Sequence, residues 1–359
     1  AAADPLGTGL GAPRLWVHDY HLMLLPDLLR GRHPGSPIAF FLHTPFPAPE
    51  LFARLPWRSH LLHGLLGADL LAFQTRSDRD NFLRTCARCL EEGNVGDDRI
   101  RLADGRTVRA AAHPISIDAP GVAARTLGEP VEREVRRLRP RFSGRKVLLG
   151  VDRLDYTKGI LERLKAVELL LERRKDLRRH VVLVQIAAPS RDDVREYREL
   201  RAQVEREVGR IVGRFTDPSG AVPVRYLYRS IPEHSTLAYY RMADVALVTP
   251  LRDGMNLVAK EFVVCQAAGG ESGALVLSEF AGAADELTEA VLCNPFDVEG
   301  LSYRIEHALE LGEDDRRKRL AAMASTVHEH DVFGWAEGLL TDLESGDADR
   351  GPSNGGVPR

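Results

Sequence analysis

The sequence has few cysteines, few aromatic residues and no excess of either charge. Four of its 359 residues are cysteine, and aromatic residues make up 6%. Basic and acidic residues number 49 and 52, so the basic excess that is typical of nucleic-acid-binding proteins is missing. The sequence shows no apolar run of membrane-spanning length and no signal-peptide pattern. We therefore expect a cytoplasmic protein that binds neither nucleic acid nor membrane.

The residues that could hold a metal do not form a convincing set. Cys86 and Cys89 have a C-x-x-C spacing, but they lie in a predicted helix and no second ligand pair follows. We interpret them as packing residues. His18 and His21 flank Asp19, but zinc needs a third or fourth ligand at suitable spacing. The sequence predicts no metal site and no cofactor.

Short apolar runs alternate with longer helical segments along most of the chain. This alternation predicts parallel sheets with helices on both faces, an α/β fold class. The Asp104-Gly105 dipeptide favours a hairpin with a type I′ turn. A helical period is clearest over 159–171, with apolar residues at Ile160, Leu164, Val167 and Leu171.

A change of composition between Asp118 and Arg145 separates two halves of the chain. Proline and glycine punctuate this Arg- and Glu-rich stretch, which we interpret as a connection between two Rossmann-like domains that face a cleft. The expected boundaries are a loose N-terminus at 1–14, a first domain at 15–130, a second domain at 145–312, C-terminal helices that pack back across the domains at 313–343 and a disordered tail at 344–359.

The segment most suggestive of chemistry follows the strand predicted at 245–248. A loop with Gly254 leads into a helix that begins near Asn256. A helix N-terminus holds anions through its unpaired N–H groups, and glycine lets a ligand approach the backbone. Leu257 and Glu261 share a helix face, which directs Glu261 toward the same cleft. A carboxylate there would accept hydrogen bonds from ribose hydroxyls. An ordinary helix capped by Asn256, with Glu261 on its surface, is the alternative.

A second strand-to-helix loop spans residues 150–159. Arg153 offers a planar fork and Lys158 a point charge, and together they suit a diphosphate. Alternatively, both are solvated loop charges paired with Asp152 and Asp155.

A third segment lies before the helix predicted at 191–212. Ser190 and Asp193 have the spacing of a capping box, which would put Arg191 in the first helical turn. A cation there opposes the helix dipole and therefore indicates a bound anion. Neutralisation by Asp192 or Asp193 is the alternative.

Two further polar residues, Asp19 and His43, follow predicted strands of the first half, where sugar hydroxyls would bind. Taken alone, a single histidine is more often a structural residue.

Together these segments resemble the trehalose-6-phosphate synthase family, glycosyltransferase family 20, from about Leu15 to Leu343. The motifs that carry the resemblance are WVHDYHL at Trp16, FFLHTPFP at Phe40, LLGADLLAFQT at Leu65, DRLDYTKGI at Asp152, PSRDDV at Pro189, TPLRDGMNLVAKEF at Thr249 and LSEFAGAADEL at Leu277. The resemblance implies a GT-B glycosyltransferase fold whose first domain is incomplete.

The resemblance also implies a reaction. A retaining enzyme, an α,α-trehalose-phosphate synthase, would move glucose from a nucleotide-glucose, UDP- or GDP-glucose, to glucose 6-phosphate by front-face substitution, without a metal. The implied catalytic residues are His43, Asp19, Arg153, Lys158 and Asp253. The implied donor-binding residues are Arg153, Lys158, Asp253, Gly254, Met255, Asn256, Leu257, Val258 and Glu261. The implied acceptor-binding residues are Asp19, His43 and Arg191, the last of them on the acceptor phosphate.

The sequence departs from the family before Leu15, where the family's leading strand, its Arg after a Ser-Asn pair and its Gly-Gly turn are not found. We therefore expect a truncated first domain with an exposed sheet edge and weak or no activity. A pseudo-glycosyltransferase that couples a cyclitol nucleotide to an amino-cyclitol phosphate is one alternative, and an inactive sugar-phosphate-binding fragment is another. The donor nucleobase and the oligomeric state, a homo-oligomer included, are left open.

Overall fold

The computed structural model describes residues 12–90, 94–191 and 193–348. The described residues up to Ile115 and from Phe333 onward form one compact unit, and Ser116–Val332 forms a second. Most of the expected loose N-terminus (1–11) and of the expected tail (349–359) lies outside the described residues. The tail was expected to begin at 344, but a helix continues to Ala348.

Strands and helices alternate through most of the described chain. The strands are β1 (Leu15–His18), β2 (Ile38–Phe41), β3 (Leu70–Phe73), β4 (Asn94–Val95), β5 (Arg99–Arg101), β6 (Thr107–Ala112), β7 (Lys146–Arg153), β8 (Val181–Ala188), β9 (Val224–Tyr228), β10 (Val245–Val248), β11 (Ala274–Ser278) and β12 (Val291–Cys293). The α-helices are α1 (Leu25–Arg32), α2 (Pro49–Phe52), α3 (Arg58–Leu65), α4 (Arg76–Cys89), α5 (Ala119–Thr126), α6 (Glu129–Leu138), α7 (Ile160–Arg173), α8 (Arg195–Phe215), α9 (Glu233–Met242), α10 (Leu257–Gly269), α11 (Val298–Glu310), α12 (Glu313–Glu329) and α13 (Val332–Ala348).

The first unit is built on a sheet with the strand order β1-β2-β3-β6-β5-β4 among the described residues. Strands β1, β2, β3 and β6 are parallel, whereas β4, β5 and β6 pair antiparallel. Because side chains alternate along a strand, β2 supplies both faces of the core. Phe40 packs with Phe46 and Phe82 on one face. Phe41 packs with Leu339 of α13 on the other.

The C-terminal helices divide between the units. Helix α12 packs on α10 of the second unit. Helix α13 is anchored in the first unit, where Trp335 Nε1 donates to the His113 carbonyl at 3.1 Å and the Asp342 carboxylate contacts Arg109 at 2.9 Å. The sequence predicted C-terminal helices over 313–343, and α12 and α13 occupy this range.

The hairpin predicted at Asp104-Gly105 is present between β5 and β6, but its turn is not type I′. That turn needs positive φ at both central residues. Gly105 has φ of 89°, and Asp104 is not among the described residues with positive φ. The Gly105 N–H donates to Leu102 O, and the Leu102 N–H donates to Arg106 O. The longer loop lets glycine alone take the left-handed conformation.

The stretch predicted as an inter-domain connection, 118–145, instead forms helices α5 and α6 of the second unit. Helix α6 buries Val131, Val135 and Leu138 at helical spacing. Pro120 and Pro130, interpreted as breaks, lie in the first turns of these helices, where proline is tolerated because no N–H partner is needed.

The second unit is a parallel sheet with the order β12-β11-β10-β7-β8-β9 within the described chain. Strand β8 is buried over almost its whole length, as expected for a parallel strand covered on both faces. The helical period predicted over 159–171 is confirmed, because all four of its apolar residues lie in the core of this unit. No described helix is both long enough and apolar enough to cross a membrane.

Candidate active site

The second sheet has a topological switch point between β7 and β10. From β7 the chain continues outward through β8 and β9, and it then returns to place β10 on the other side of β7. In open α/β sheets, ligands bind beyond the carboxyl ends of the strands at such a point. The loops that follow β7 and β10 are the two loops in which the sequence predicted a diphosphate site.

These two loops are packed against each other. The Leu251 N–H donates to Thr157 O at 2.7 Å. Gly159 has φ of 64°, and a Cβ at this position would lie 2.2 Å from Thr249 O. Only glycine accepts both this left-handed conformation and this close approach. The sequence therefore fixes the loop after β7 directly against the loop after β10.

A close ion pair joins the two loops. Lys158 Nζ lies 2.5 Å from Asp253 Oδ2, and the two side chains are 15% and 18% exposed. Asp253 Oδ2 also accepts from Asn256 Nδ2 at 3.0 Å, and Oδ1 accepts from the Gly254 N–H at 3.0 Å. The pairing of Lys158 with Asp152 or Asp155, offered as an alternative from sequence, is not what the structure has.

Arg153 is the last residue of β7, and its side chain is exposed. Among the described residues, its guanidinium has no hydrogen-bond or ion-pair partner. Asp152 and Asp155, which the alternative reading paired with this arginine, instead bind Arg163 and Tyr197. Arg153 therefore offers its donors to solvent or to a ligand.

Helix α10 begins without a side-chain cap. Asn256 occupies the N-cap position with φ of 73°, but its side chain makes no capping hydrogen bond and binds Asp253 instead. Asn256 Oδ1 is buried without a partner among the described residues. The first turn, with Leu257 and Val258, contains no acidic residue. The first N–H groups of α10 thus have no side-chain cap, and the alternative of an ordinary helix capped by Asn256 is wrong.

Met255 and Gly254 shape the loop before α10. Both are buried, and Met255 O accepts from the Ala283 N–H at 2.9 Å. The Asp253 N–H donates to Phe280 O at 3.0 Å, which ties the same loop to the segment after β11. The loop backbone is therefore held from both sides.

Glu261 lies one turn into α10 and is partly buried. Burial raises the pKa of its carboxyl group, and the hydrogen bond from Tyr240 acts in the opposite direction. Tyr240 OH donates to Glu261 Oε2 at 3.0 Å. That bond fixes one carboxylate oxygen and leaves the other as an acceptor for ligand hydroxyls.

A buried arginine lies beneath the two loops, and sequence reasoning missed it. Arg163 is 0% exposed. Its guanidinium donates to Asp152 Oδ2 at 2.5 Å and to Gln185 Oε1 at 2.7 Å, and its Nε donates to Thr249 Oγ1 at 3.0 Å. One side chain thus joins β7, β8 and the loop after β10. The available signal was its position three residues after Ile160, on the apolar stripe of α7.

Arg191 does not lie in a helical turn, so the predicted capping box is wrong. Helix α8 begins at Arg195 with Val194 as its N-cap and no side-chain cap. Arg191 precedes it with φ of 50°. Its Nη1 donates to Tyr197 OH at 3.2 Å, so its side chain is directed by the helix rather than placed in it.

In the first unit, Asp19 and His43 are brought together. The His43 N–H donates to Asp19 Oδ1 at 3.3 Å, and Asp19 has φ of 72°. His18 Nδ1 lies 3.1 Å from His43 Nε2. Burial lowers the pKa of both imidazoles, and for His18 the neighbouring His43 lowers the pKa further. Neutral rings suit this contact, because one nitrogen must donate and the other must accept.

Sequence reasoning also missed His18 as the partner of His43. Trp16 and Trp335 continue the contact, with ring centroids 5.2 Å apart, and Trp16 lies 4.9 Å from His18. Among the described residues, no group of three or more His, Cys, Asp or Glu side chains is arranged to hold a metal ion.

Known proteins are similar to this chain over most of its length. The family model described as glycosyltransferase family 20 matches residues 13–345. A trehalose-6-phosphate synthase of Mycobacterium ulcerans is 46% identical over 338 residues, which cover 92% of this chain and 67% of that protein.

Solved structures of this family are similar as well. The α,α-trehalose-phosphate synthase of Burkholderia xenovorans in complex with glucose-6-phosphate has a TM-score of 0.87 and 37% identity, over 93% of this chain and 74% of that one. A structure from E. coli bound with UDP-2-fluoro glucose has a TM-score of 0.87 and 36% identity, over 98% of this chain and 75% of that one. These neighbours are GT-B proteins, and the two parallel-sheet units described above have that fold class.

Proposed function

Since the chain belongs to glycosyltransferase family 20, we propose that this glycosyltransferase transfers glucose from a nucleotide-glucose to glucose 6-phosphate and releases α,α-trehalose 6-phosphate. The single observation that carries the proposal is the switch point of the second sheet. There the Lys158–Asp253 pair, 2.5 Å apart, lies beside the uncapped start of α10. Two structural neighbours support both substrates, because one was solved with glucose-6-phosphate and the other with UDP-2-fluoro glucose.

The donor diphosphate would bind to Lys158, Arg153 and the N–H groups of Leu257 and Val258. Lysine supplies a point charge and arginine a planar fork, and the helix N-terminus supplies oriented N–H donors. The Arg153 guanidinium, which has no partner in the part of the chain that the structure describes, and the absence of an acidic first turn in α10 support this assignment. The Glu261 carboxylate would accept from the ribose hydroxyls.

The donor glucose would lie against the loop 253–256. The Asp253 carboxylate and the polar groups of Asn256 are the hydrogen-bonding partners there, with Gly254 and Met255 shaping the backbone. Asp253 accepts from Lys158, so one contact sets the sugar-binding group and the phosphate-binding group relative to each other. This supports a role for Asp253 in holding the breaking C1–O bond close to Lys158, which would stabilise the negative charge of the departing diphosphate.

The reaction would proceed by substitution on one face of the sugar, so the anomeric configuration is retained. The C1–O bond to the diphosphate breaks while the acceptor hydroxyl oxygen bonds to C1 on the same face. The departing β-phosphate oxygen takes the acceptor proton. Fixed cations aimed at the leaving group stabilise its developing charge without reorganisation at the moment of reaction. No side chain needs to act as a covalent nucleophile.

Asp19 and His43 would bind sugar hydroxyls of the acceptor, and Arg191 would bind the acceptor phosphate. The hydrogen bond from the His43 N–H to Asp19 supports a common role for the first two residues. A neutral His43 ring, favoured by burial, supports hydrogen bonding to sugar hydroxyls over charge pairing. The left-handed backbone at Arg191 supports a residue held for ligand contact.

Product analysis tests this proposal. Purified chain is incubated separately with UDP-, GDP- and ADP-glucose and with glucose 6-phosphate, and the product is followed by proton NMR and by nucleotide release. We expect α,α-trehalose 6-phosphate with at least one donor and none without the acceptor. Nucleotide release without a glycosidic product, or a product with inverted configuration, contradicts the proposed reaction. Absence of both nucleotide release and product with every donor also contradicts it.

We also propose a cytoplasmic location. All four cysteines are free thiols, which supports a reducing compartment. Cell fractionation with an antibody against the chain tests this, and recovery in a membrane or secreted fraction contradicts it.

A further inference from the structure

The phenol of Tyr197 lies between the segment after β8, which contains Arg191, and the loop after β7, which contains Lys158. Tyr197, on α8, is 4% exposed. Its hydroxyl accepts from Arg191 Nη1 at 3.2 Å and donates to Asp155 Oδ2 at 3.0 Å. The Arg191 guanidinium carbon also lies 5.6 Å from the centroid of the Tyr197 ring. The hydroxyl therefore connects the segment after β8 to the loop after β7.

The connection continues to Lys158. Asp155 Oδ1 accepts from the Thr157 N–H at 2.9 Å and from Thr157 Oγ1 at 2.8 Å. These bonds cap the 3-10 turn Tyr156–Lys158, and the last residue of that turn is paired with Asp253. Asp155 thus holds the turn with one oxygen and Tyr197 with the other.

The chemistry of the three groups fits a directional chain. Burial raises the pKa of Tyr197, and the hydrogen bond to Asp155 raises it further, so the phenol keeps its proton. For Asp155, burial raises the pKa, but the bonds from Thr157 and Tyr197 outweigh it, so the carboxyl group stays ionised. A phenol that donates to a carboxylate becomes a better acceptor for the arginine.

We propose that Tyr197 is a positioning residue whose hydroxyl holds both Arg191 for the acceptor phosphate and the Lys158 turn for the donor diphosphate. This inference rests on the proposed function, which assigns those two phosphates. Tyr197 acts through its two neighbours and touches neither substrate. Without the hydroxyl, Asp155 loses one donor and Arg191 loses one of the contacts that direct its side chain.

Because the backbone of Arg191 is left-handed, its conformation depends on contacts such as the one to the Tyr197 hydroxyl. A non-glycine residue at φ of 50° is strained, and such a conformation persists only where neighbouring contacts hold it. The bond to Tyr197 is one such contact. Its loss lets the side chain sample directions away from an incoming phosphate, so acceptor affinity falls even though Arg191 keeps its charge.

Titration calorimetry of the full chain with two separate probes tests the proposal. UDP probes the donor loop, and glucose 6-phosphate probes the acceptor site. The variant Tyr197→Phe keeps the ring and removes the hydroxyl. We expect the dissociation constants of both probes to rise about tenfold or more, the scale of one lost hydrogen bond to a charged group. The control is Tyr156→Phe in the same turn, because Tyr156 is 59% exposed and its hydroxyl has no hydrogen-bond partner among the described residues.

The outcomes distinguish failure of the proposed function from failure of the role given to Tyr197. If wild-type chain binds neither probe, the proposed function fails and this inference fails with it. If wild type binds both probes, and Tyr197→Phe binds them as tightly while its Tm falls, the hydroxyl is only structural and this inference alone is overturned. Weakening of one probe alone also overturns it.

A second variant covers the case in which Tyr197→Phe does not fold. Asp155→Asn removes the charged acceptor of the phenol, so we expect both probes to bind more weakly. In a foldable Tyr197→Phe background, Asp155→Asn should add less than its single effect, because the two residues act in one chain. Full additivity, or an effect of Asp155→Asn on UDP alone, contradicts the proposal.

Discussion

Replacement of Asp253 by Asn should separate nucleotide binding from glucose transfer. The carboxylate lies 2.5 Å from Lys158 Nζ, so it neutralises part of the positive charge that the proposed function assigns to diphosphate binding. Asn at this position keeps the shape of the side chain and still offers an oxygen to Lys158. We expect UDP, which has no glucose, to bind more tightly to Asp253→Asn than to wild type.

The magnitude follows from the geometry of the pair. A phosphate oxygen bonded to Lys158 Nζ at ~2.8 Å lies within about 5.3 Å of Asp253 Oδ2. Two unit charges at that distance repel by about 3 kcal/mol at an effective dielectric constant near 20, and by about 0.8 kcal/mol in bulk water. Because Asp253 is 18% exposed, screening is partial, and we expect UDP to bind about five- to fiftyfold more tightly.

Glucose transfer should change in the opposite direction. The proposal has the Asp253 carboxylate accept from the donor glucose, and hydrogen bonds to charged groups contribute about 1.5–3 kcal/mol. We therefore expect kcat/KM of Asp253→Asn to fall about 10- to 100-fold. Calorimetry with UDP and a coupled nucleotide-release assay measure the two effects, with exposed Asp314→Asn as control. UDP binding weakened tenfold, or unchanged transfer, refutes the reasoning.

Three further changes test the rest of the second unit. Lys158→Met should weaken UDP binding about 10- to 100-fold by calorimetry, because it deletes a cation that is proposed to contact the phosphate, whereas exposed Lys165→Met should bind UDP like wild type. Glu261→Gln should weaken UDP binding yet flatten the fall of the free energy of unfolding with rising pH. The reason is that burial raises the pKa of this carboxyl in the folded state above its ordinary 4.5. Between these two pKa values the folded state holds a proton that the unfolded state has released, so the free energy of unfolding falls as pH rises. Urea denaturation at several pH values measures this, and a slope equal to that of wild type contradicts it. Gly159→Ala should lower the free energy of unfolding by about 2–4 kcal/mol, since its φ of 64° is left-handed and the new Cβ would meet a backbone oxygen at 2.2 Å. Gly144→Ala, with φ of 73° and open space around it, should lose only the left-handed cost of about 1–2 kcal/mol, and equal losses contradict the clash.

The periodic features of the fold were predictable from sequence. The apolar stripe of α7 and the buried run of β8 depend on local spacing, and local spacing is visible in a single chain. The loop after β10 was also predictable in outline, since a strand, a glycine and a helix start follow each other there. The family resemblance then assigned roles to residues that spacing alone left open.

Features that depend on distant partners were not predictable. Arg163 is explained only by Asp152, Gln185 and Thr249, which lie on three different strands or loops that the sheet brings together. Position 150 accommodates only glycine beside this network, because a Cβ there would lie 2.3 Å from Arg163 Nη1. No periodicity encodes such a network.

Local rules also failed where a longer-range contact competes with them. The Ser190 and Asp193 spacing favoured a helix from 191, and a capping interaction contributes about 1 kcal/mol. The structure instead begins α8 at Arg195 and directs Arg191 toward Tyr197. Pro120 misled for a related reason, because proline both breaks helices and begins them, and sequence alone did not distinguish the two.

In the proposed reaction, the charges at the β7–β10 switch point hold a departing diphosphate. The most direct measurement is an electron-density map of the chain crystallised with UDP. We expect the β-phosphate within hydrogen-bond distance of Lys158 Nζ and of the N–H groups of Leu257 and Val258, with the Arg153 guanidinium turned toward it. A nucleotide bound elsewhere, with Lys158 still paired to Asp253 alone, would contradict the account.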